Sequence, residues 1–178
     1  MTLLSHNELL LIVEQEIITP VDVSDINAAS IDIYLGDTIL LEDKKGGLVD
    51  FRQRNPVTFT EYVMDEEGWT LEPGDFILAQ SREIFNLPNW LSAEYKLKSS
   101  MARIGLEHMN AGWCDAGWNG SVLTLEFKNM CKYHSIKIRP GDAIGQMIFF
   151  RHEPVPIEAS YATNGRYNGD TSVSGIKE

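Results

Sequence analysis

The segment KSSMARIGL, residues 98–106, places Lys98 and Arg103 around Ser99 and Ser100 where an extended run gives way to helical sequence. The N-terminus of a helix presents free N–H groups and a partial positive charge, so this segment could hold a phosphate group. Serine caps are common, and on this motif alone a capped helix with two surface cations is the more frequent explanation. The segment therefore predicts either a phosphate-binding cradle or an ordinary helix start.

Two carboxylates follow in NAGWCDAGWNGSVLTLEFKN, residues 110–129, where a loop bearing Asp115 leads into an alternating, strand-like stretch. One face of that strand carries Leu123, Leu125 and Phe127, and the other carries Val122, Thr124, Glu126 and Lys128. A carboxylate on the polar face is usually solvated, but in a cleft it can act as a general base. Asp115 is likewise either a turn residue or a ligand for a hydroxyl group or a water.

The C-terminal stretch SYATNGRYNGDTSVSG, residues 160–175, has the composition of a mobile segment. It contains Tyr161, Arg166 and Tyr167. The stretch is either a disordered terminus or a lid that closes on a ligand, with an aromatic ring to stack and a cation for phosphate.

The chain has 178 residues and 43% hydrophobic residues, which predicts one well-buried domain. We expect a body over residues 1–158 and a flexible lid over 159–178. The chain shows no long apolar run and no signal peptide, so we expect no membrane association and a cytoplasmic protein, in the host cytoplasm if the source is viral. A net charge of −11 argues against a nucleic-acid partner, and any charge that holds a phosphate must be local.

Common metal and nucleophile motifs do not fit the sequence. His6-Asn7-Glu8 matches the H-x-E of zinc deaminases, but no P-C-x-x-C follows it. The four histidines (His6, His108, His134, His152) lack ligand spacing, and we expect each to be structural or at the surface. Cys114 and Cys131 are expected to be reduced thiols, and no nucleophile elbow G-x-S-x-G is present. The sequence therefore predicts no zinc and no metal held by protein ligands alone.

Several elements must position these residues. Ser5 and Glu8 form a capping-box pattern for an N-terminal helix. The stretch SIDIYLGDTILLED predicts a strand with a Gly36-Asp37 turn. LEPGDFILAQ (71–80) and IRPGDAIGQMIFF (138–150) each predict a hairpin around Pro-Gly-Asp. SSMARIGL predicts a short helix with a serine cap that ends near Gly105. The architecture predicted from these patterns is mostly antiparallel β.

Taken together, these segments resemble the dCTP deaminase branch of the dUTPase superfamily. The likeness covers NAASIDIYLGD, LEPGDFILAQSREIFNLPNWL, KSSMARIGL, AGWCDAGWNGSVLTLEFKN, IRPGDAIGQMIFF and RYNGD, in the family's order. It implies a mainly β fold, a distorted β-barrel or jelly-roll-like subunit with a short N-terminal helix and one or two further short helices. It also implies a homotrimer with active sites between subunits, and zinc-free hydrolysis of dCTP to dUTP and ammonia, with Mg²⁺ bound through the triphosphate.

The resemblance also implies roles for individual residues. Glu126 is expected to be the catalytic glutamate, which takes a proton from the attacking water, with Ser99 and Arg103 as its partners. The triphosphate cradle is expected to comprise Lys98, Ser99, Ser100, Met101, Ala102 and Arg103. Asp115 is expected to contact the deoxyribose 3′-hydroxyl, and Thr124, Leu125 and Glu126 to face the base. Further nucleotide contacts are expected from Gln146, Tyr161, Arg166 and Asp170.

Three activities stay open on the sequence. We rank deamination of dCTP first. Members that also hydrolyse dUTP carry both an Asp115-type aspartate and a Glu126-type glutamate, so diphosphatase activity, alone or added, is an alternative. A non-catalytic nucleotide-binding module is the third, since Asp170 stands where deaminases usually carry glutamine. An acid there requires a cation or Mg²⁺ beside a triphosphate.

Overall fold

The structure is a computed structural model that describes residues 1–50, 52 and 57–177. Phe51, residues 53–56 and Glu178, which belong to the predicted body and lid, lie outside the described residues. The strands are β1 (Thr2–Leu3), β2 (Ile18–Thr19), β3 (Ile31–Glu42), β4 (Phe59–Val63), β5 (Trp69–Leu71), β6 (Phe76–Asn86), β7 (Leu91–Leu97), β8 (Leu106–Glu107), β9 (Trp113–Cys114), β10 (Asn119–Asn129), β11 (Ile136–Ile138) and β12 (Ala143–Arg151). The α-helices are α1 (His6–Glu14), α2 (Ser99–Arg103) and α3 (Tyr161–Asn164), and short 3₁₀ turns span Val23–Asp25 and Ile157–Ala159.

One curled sheet contains ten of the twelve described strands. Its main path runs β8-β10-β6-β3-β12-β7-β9, while β1 pairs with β12, β2 with β6 and β4 with β3, all antiparallel. The core lies inside the curl, where Phe85, Tyr95, Phe127 and Phe149 come from four different strands and are almost fully buried. The predicted mainly β, barrel-like fold with a few short helices is confirmed.

The N-terminal helix begins as predicted. Both the backbone N–H and the hydroxyl of Ser5 donate to Glu8 Oε2, at 3.0 and 2.9 Å, which fixes the first turn of α1. Leu9 and Ile12 on the inner side of this helix are buried against the sheet. The longest described helix has nine residues, and none of the described helices has the length and apolar character needed to cross a bilayer.

The two Pro-Gly-Asp segments are tight turns. The Asp75 N–H donates to the Glu72 carbonyl at 3.0 Å, and the Asp142 N–H donates to the Arg139 carbonyl at 3.1 Å. Each aspartate carboxylate accepts the N–H of the residue three positions earlier, at 2.8 Å in both turns. The aspartate therefore closes the turn from its own side chain.

The hairpins predicted around these turns are wrong. β5 and β11, which lead into the two turns, pair with each other, with Ile136 opposite Leu71 and Ile138 opposite Trp69. β6 and β12, which leave the turns, are inserted between other long strands of the main sheet. Both edges of β6 and β12 are thus occupied, so the short strands β5 and β11 satisfy their backbone groups with one another.

The turn predicted at Gly36-Asp37 is also wrong, because β3 continues through it from Ile31 to Glu42. The pairing of β3 with β6 shifts register between Leu35 and Ile39, so the glycine marks a bulge. A Cβ at Gly36 would lie 2.8 Å from Gln80 Cγ on the neighbouring strand. Glycine is present here because the two strands approach closely, not because the chain turns.

Asn129, the last residue of β10, connects that strand to two neighbouring segments. It is 1% exposed, and its amide donates to the carbonyls of Leu71 and His134 at 2.9 and 3.0 Å. Its side-chain oxygen accepts the Cys131 N–H at 2.9 Å. These bonds fix the end of the strand that carries Glu126.

Asn129→Ala should lower the free energy of unfolding by about 2–4 kcal/mol, because it leaves buried backbone groups without partners. Urea denaturation would measure the loss. Asn7→Ala, at an exposed position of α1, is the control and should change stability by less than about 0.5 kcal/mol. Equal stability of the two variants would contradict the role given to Asn129.

Candidate active site

Strand β10 positions the central carboxylate. The strand pairs along its length with β6, with Thr124 opposite Gln80 and Glu126 opposite Leu78. Its alternation is as predicted, since Leu123, Leu125 and Phe127 enter the core while Thr124 and Glu126 face a cavity on the other side. The β10–β6 ladder thus fixes the direction in which the Glu126 side chain points.

That cavity has a volume of about 440 Å³ and combines aromatic and acidic walls. Its polar and charged residues include Asp115, Thr124, Glu126, Asp170 and Ser174, and its aromatic residues are Trp113, Trp118, Tyr161 and Tyr167. Of the predicted site residues, it brings together Asp115, Thr124, Glu126, Tyr161 and Asp170. A concave site with a few convergent polar groups is the usual form of a small-molecule site.

Glu126 is a largely buried carboxylate with an incomplete set of partners. Its side chain is 27% exposed, and Oε2 is buried without a hydrogen-bond partner. Burial raises the pKa of Glu126 above its ordinary value. A raised pKa brings a glutamate closer to neutral pH, where it is a better general base.

His108 lies next to Glu126, a position that sequence reasoning did not reveal because a single histidine without ligand spacing gives no distinguishing signal. It is buried, and its Nε2 lies 3.8 Å from Glu126 Oε2. Burial, with a smaller contribution from the Lys96 charge, lowers the pKa of His108 to about 4. At neutral pH the imidazole is uncharged, so this contact is not an ion pair.

Asp115 lies in the loop before β10, at the mouth of the cavity. The Trp113 indole N–H donates to Asp115 Oδ1 at 2.8 Å, which orients the carboxylate. Both side chains are exposed, so one face of the aspartate is open to a ligand. This geometry is compatible with either a hydroxyl or a water as its partner.

The C-terminal segment lies over the same cavity. Its backbone is bonded to the body: the Tyr167 carbonyl accepts from Trp118 Nε1 and from Ser121 Oγ, both at 2.9 Å, and the Asp170 carbonyl accepts from the Val122 N–H at 2.8 Å. The buried side chain of Val173 packs against Leu40 and Leu78. Whether the segment opens as a lid stays a prediction, but in this structure it forms part of the cavity wall.

Asp170 has its own cation. The Lys177 ammonium donates to Asp170 Oδ1, and Lys177 also lies 5.5 Å from the centre of the Tyr167 ring. Lys177 thus neutralises Asp170, the acid that stands where deaminases usually carry glutamine. The charge is compensated within the C-terminal segment itself.

The cradle segment, Lys98–Arg103, lies apart from the cavity. Ser99 and Ser100 are the first residues of α2 and not its cap; Lys98 is the N-cap, and it makes no side-chain capping bond. The predicted serine cap is therefore wrong. Gly105, with φ +93°, follows the helix as predicted, and a Cβ there would lie 2.4 Å from Cys131 Sγ.

The two cations of the cradle segment have separate partners. The Lys98 ammonium donates to Asp32, and Arg103 Nε donates to Ser99 Oγ at 3.2 Å. Neither lines the cavity that contains Glu126. Within one described chain, the predicted cradle and the predicted base site are therefore not one site.

Three further predicted residues also lie outside this cavity. The Gln146 side-chain oxygen accepts from Ser30 Oγ at 3.1 Å, and Gln146 lies opposite Asp32, the partner of Lys98. Arg166 is exposed in the C-terminal segment. The Leu125 side chain is fully buried in the core, so only its backbone could face a ligand.

The charge of the cavity limits what it can bind alone. Three carboxylates line it (Asp115, Glu126 and Asp170), and its lining contains no lysine or arginine. Lys177, outside the lining, compensates Asp170, but Asp115 and Glu126 would repel an anionic nucleotide unless further cations came from a metal ion or another subunit. No group of three or more His, Cys, Asp or Glu side chains suited to a metal occurs in the described part of the chain. The carboxylates that line the cavity could contact a Mg²⁺ ion that is bound mainly by the phosphates of a nucleotide.

Comparison with known proteins identifies the family. Residues 3–152 match the dCTP deaminase-like family. The chain is 38% identical over 156 residues to a protein of Persephonella marina named "dCTP deaminase, dUMP-forming". The aligned region covers 86% of this chain and 83% of the relative. A Sulfurihydrogenibium protein of the same name is 35% identical over 155 residues, covering 85% of this chain and 82% of the relative. The chain belongs to the dCTP deaminase-like family, and the predicted family and enzyme class are confirmed.

A solved structure shares the fold. The 2′-deoxycytidine 5′-triphosphate deaminase of Agrobacterium tumefaciens superposes with a TM-score of 0.66 at 22% identity, over 84% of this chain. This chain spans about half of that protein's length, since the match covers 48% of it. The likeness supports the curled β architecture described above.

Val173→Asp should release the C-terminal segment, because it places a charge in the apolar contact with Leu40 and Leu78. Trypsin cleavage after Arg166, followed by mass spectrometry, should be at least about 10-fold faster than in the wild type. Thr171→Asp adds the same charge at an exposed position of the segment and should leave cleavage unchanged. Equal cleavage of both variants would mean that Val173 does not hold the segment.

Proposed function

We propose that this chain is a bifunctional enzyme that converts dCTP to dUMP, ammonia and pyrophosphate in one site. The observation that carries the proposal is that Glu126 and Asp115 line the same cavity. The names of the relatives, which give dUMP as the product, favour this alternative over the release of dUTP that we ranked first. Two water molecules are consumed for each dCTP.

The first step acts at the base. A water adds to C4 of cytosine as Glu126 takes one of its protons and passes that proton to ring N3. Glu126 then takes the second proton from the C4 hydroxyl and passes it to the amine; the C4–N bond breaks, the C4 carbonyl forms and ammonia is released. Thr124, on the same strand face, is available to hydrogen-bond the base. Desolvation of Glu126 supports this role, because it raises the carboxyl pKa toward neutral pH.

The second step acts at the phosphate chain. Asp115 takes a proton from a second water, which attacks the α-phosphorus, and pyrophosphate leaves with the electrons of the broken P–O bond. The exposed Asp115 carboxylate also lies where a deoxyribose hydroxyl could reach it. The indole of Trp113 holds the carboxylate in one orientation throughout.

The positive charge for the triphosphate would come from a neighbouring subunit. The cavity lining holds three acids and no lysine or arginine, while Lys98 and Arg103 lie on another part of the surface. In a homotrimer, the cradle segment of one subunit could complete the cavity of the next, with Ser99 and Arg103 positioned beside Glu126 of that subunit. Mg²⁺ bound to the phosphates would neutralise further charge, with Asp170 as the carboxylate beside it.

Incubation of the wild type with dCTP and Mg²⁺ should yield dUMP, ammonia and pyrophosphate in equal amounts. Glu126→Gln should lower ammonia release by at least about 100-fold while dUTP is still hydrolysed, because the variant loses only the base of the first step. Asp115→Asn should stop the reaction at dUTP.

Glu61→Gln, at an exposed glutamate on β4, is the matched control and should behave as the wild type. Chromatography of the nucleotides with an ammonia assay measures all four proteins. Wild type that stops at dUTP, or Glu126→Gln that still deaminates at the wild-type rate, would overturn the proposal.

Shared sites should allow complementation between subunits. Arg103→Ala and Glu126→Gln should each be nearly inactive in deamination. The two variants are mixed in equal amounts, unfolded and refolded into random trimers. About a quarter of the sites would then combine an intact Arg103 from one subunit with an intact Glu126 from the next, so about a quarter of the wild-type activity should return. Refolding each variant alone is the control, and no gain on mixing would contradict a site shared between subunits.

A further inference from the structure

Two buried polar atoms without a hydrogen-bond partner, His108 Nε2 and Glu126 Oε2, lie close to each other beside the cavity. Among the residues that the structure describes, the buried side-chain nitrogen and oxygen atoms without a partner are Tyr95 Oη, His108 Nε2 and Glu126 Oε2. The last two are 3.8 Å apart, longer than a hydrogen bond. Buried polar atoms are nearly always paired, so each exception requires an explanation such as a catalytic role.

The His108 ring is held firmly in this direction. Its side chain is 6% exposed, and its centre lies 4.4 Å from the Tyr95 ring and 5.9 Å from the Phe127 ring. Its backbone N–H donates to Glu107 Oε1 at 3.1 Å. Aromatic neighbours on β7 and β10 thus orient an imidazole nitrogen toward one oxygen of Glu126.

The charge states suit a hydrogen bond and not an ion pair. The groups around His108 are the Lys96 ammonium, Tyr95, Glu107 and Glu126. Burial and Lys96 keep the imidazole neutral at pH 7, since its pKa is lowered to about 4. A neutral imidazole with its proton on Nε2 can donate one hydrogen bond to a carboxylate.

We propose that His108 is a positioning residue whose Nε2–H donates to Glu126 Oε2 during turnover, so that Oε1 alone exchanges protons with water and substrate. The proposal rests on the deaminase function proposed above. One water proton moves to Oε1 as the C4–O bond forms and passes on to ring N3. The proton of the C4 hydroxyl then passes through Oε1 to the amine as the C4–N bond breaks and ammonia departs; Oε2 keeps its bond to His108 throughout. The atoms need to approach by about 1 Å, and catalytic hydrogen bonds often shorten in this way when substrate binds.

The simpler role for His108 is to fill space between two aromatic rings. Two variants separate the roles. His108→Phe keeps a ring for packing and removes the donor, whereas His108→Gln supplies an amide N–H in place of the imidazole N–H. Tyr95→Phe is the matched control, because it deletes the third unpaired buried atom and keeps its ring against His108.

His108→Phe should lower kcat for ammonia release by about 10- to 100-fold, the effect of losing a hydrogen bond to a charged group. KM for dCTP and pyrophosphate release from dUTP should each change by less than about 3-fold, because neither depends on an ordered general base in the first step. His108→Gln should recover most of the lost kcat. Tyr95→Phe should match the wild type in both reactions.

The pH profile gives a second readout. A donor to the ionised carboxylate lowers its pKa, so His108→Phe should raise the pKa of Glu126 further. Glu126 must be ionised to act as a base, and activity is lost as pH falls through its pKa. The acid limb of kcat should therefore move to higher pH in His108→Phe and return toward the wild-type position in His108→Gln.

Titration of Glu126 by ¹³C NMR tests the same contact without turnover. With dUMP, the proposed final product, bound to each protein, wild type should show a lower Glu126 pKa than His108→Phe, with His108→Gln close to the wild type. An unchanged pKa and kcat in His108→Phe would overturn the positioning role, as would equal loss of both reactions in His108→Phe and His108→Gln. Wild type that releases no ammonia would instead overturn the proposed function, and the titration would still decide the contact. If His108→Phe does not fold, wild type is compared with His108→Gln and Tyr95→Phe instead. A His108→Gln variant whose Glu126 pKa is unchanged but whose kcat falls more than about 10-fold would contradict the positioning role.

Discussion

The antiparallel pairing of β10 with β6 is the constraint on which the candidate site depends. Because side chains alternate along a strand, the ladder that sends Leu123, Leu125 and Phe127 into the core must send Thr124 and Glu126 to the opposite face. A slip of one residue would bury Glu126 in the core and expose Leu125 in the cavity. The apolar face therefore fixes the register of β10, and the register fixes the position of Glu126, the proposed general base. Asn129 anchors the end of the same strand to two neighbouring segments.

Charge is the second constraint. The cavity that holds Glu126 is acidic, and residues of the C-terminal segment form part of its wall. Burial of Glu126 raises the pKa of its carboxyl. The same acidity excludes an anionic substrate unless positive charge is added from outside. In the proposed trimer different parts meet the two requirements: the cavity lining has no lysine or arginine beside Glu126, while the cradle segment of the neighbouring subunit and Mg²⁺ on the phosphates would supply positive charge where the triphosphate binds. Within the C-terminal segment, Lys177 performs a similar compensation for Asp170.

Local patterns in the sequence predicted helices, strands and turns better than they predicted which strands pair with each other. The capping box at Ser5, the alternation of β10 and the Pro-Gly-Asp turns depend on neighbours in the chain, and all are present. The hairpins at those turns were wrong, because pairing is decided by which long strands occupy the sheet. His108 could not be found from the sequence, since its importance comes from a distance of 3.8 Å to a residue on another strand. The family resemblance supplied the site residues, but the separation of the cradle segment from the cavity is visible only in three dimensions.

The central claim is that one bound nucleotide is processed at its base and at its phosphate chain in a single cavity. An isotope chase tests it most directly: ¹⁴C-labelled dCTP is converted in the presence of a large excess of unlabelled dUTP, and the labelled products are followed from the first turnovers. The account predicts that label passes directly into dUMP with little label in the dUTP pool, because dUTP hydrolysis precedes its release. Label that accumulates in dUTP, and reaches dUMP only after dilution by the unlabelled pool, would contradict the single-cavity account.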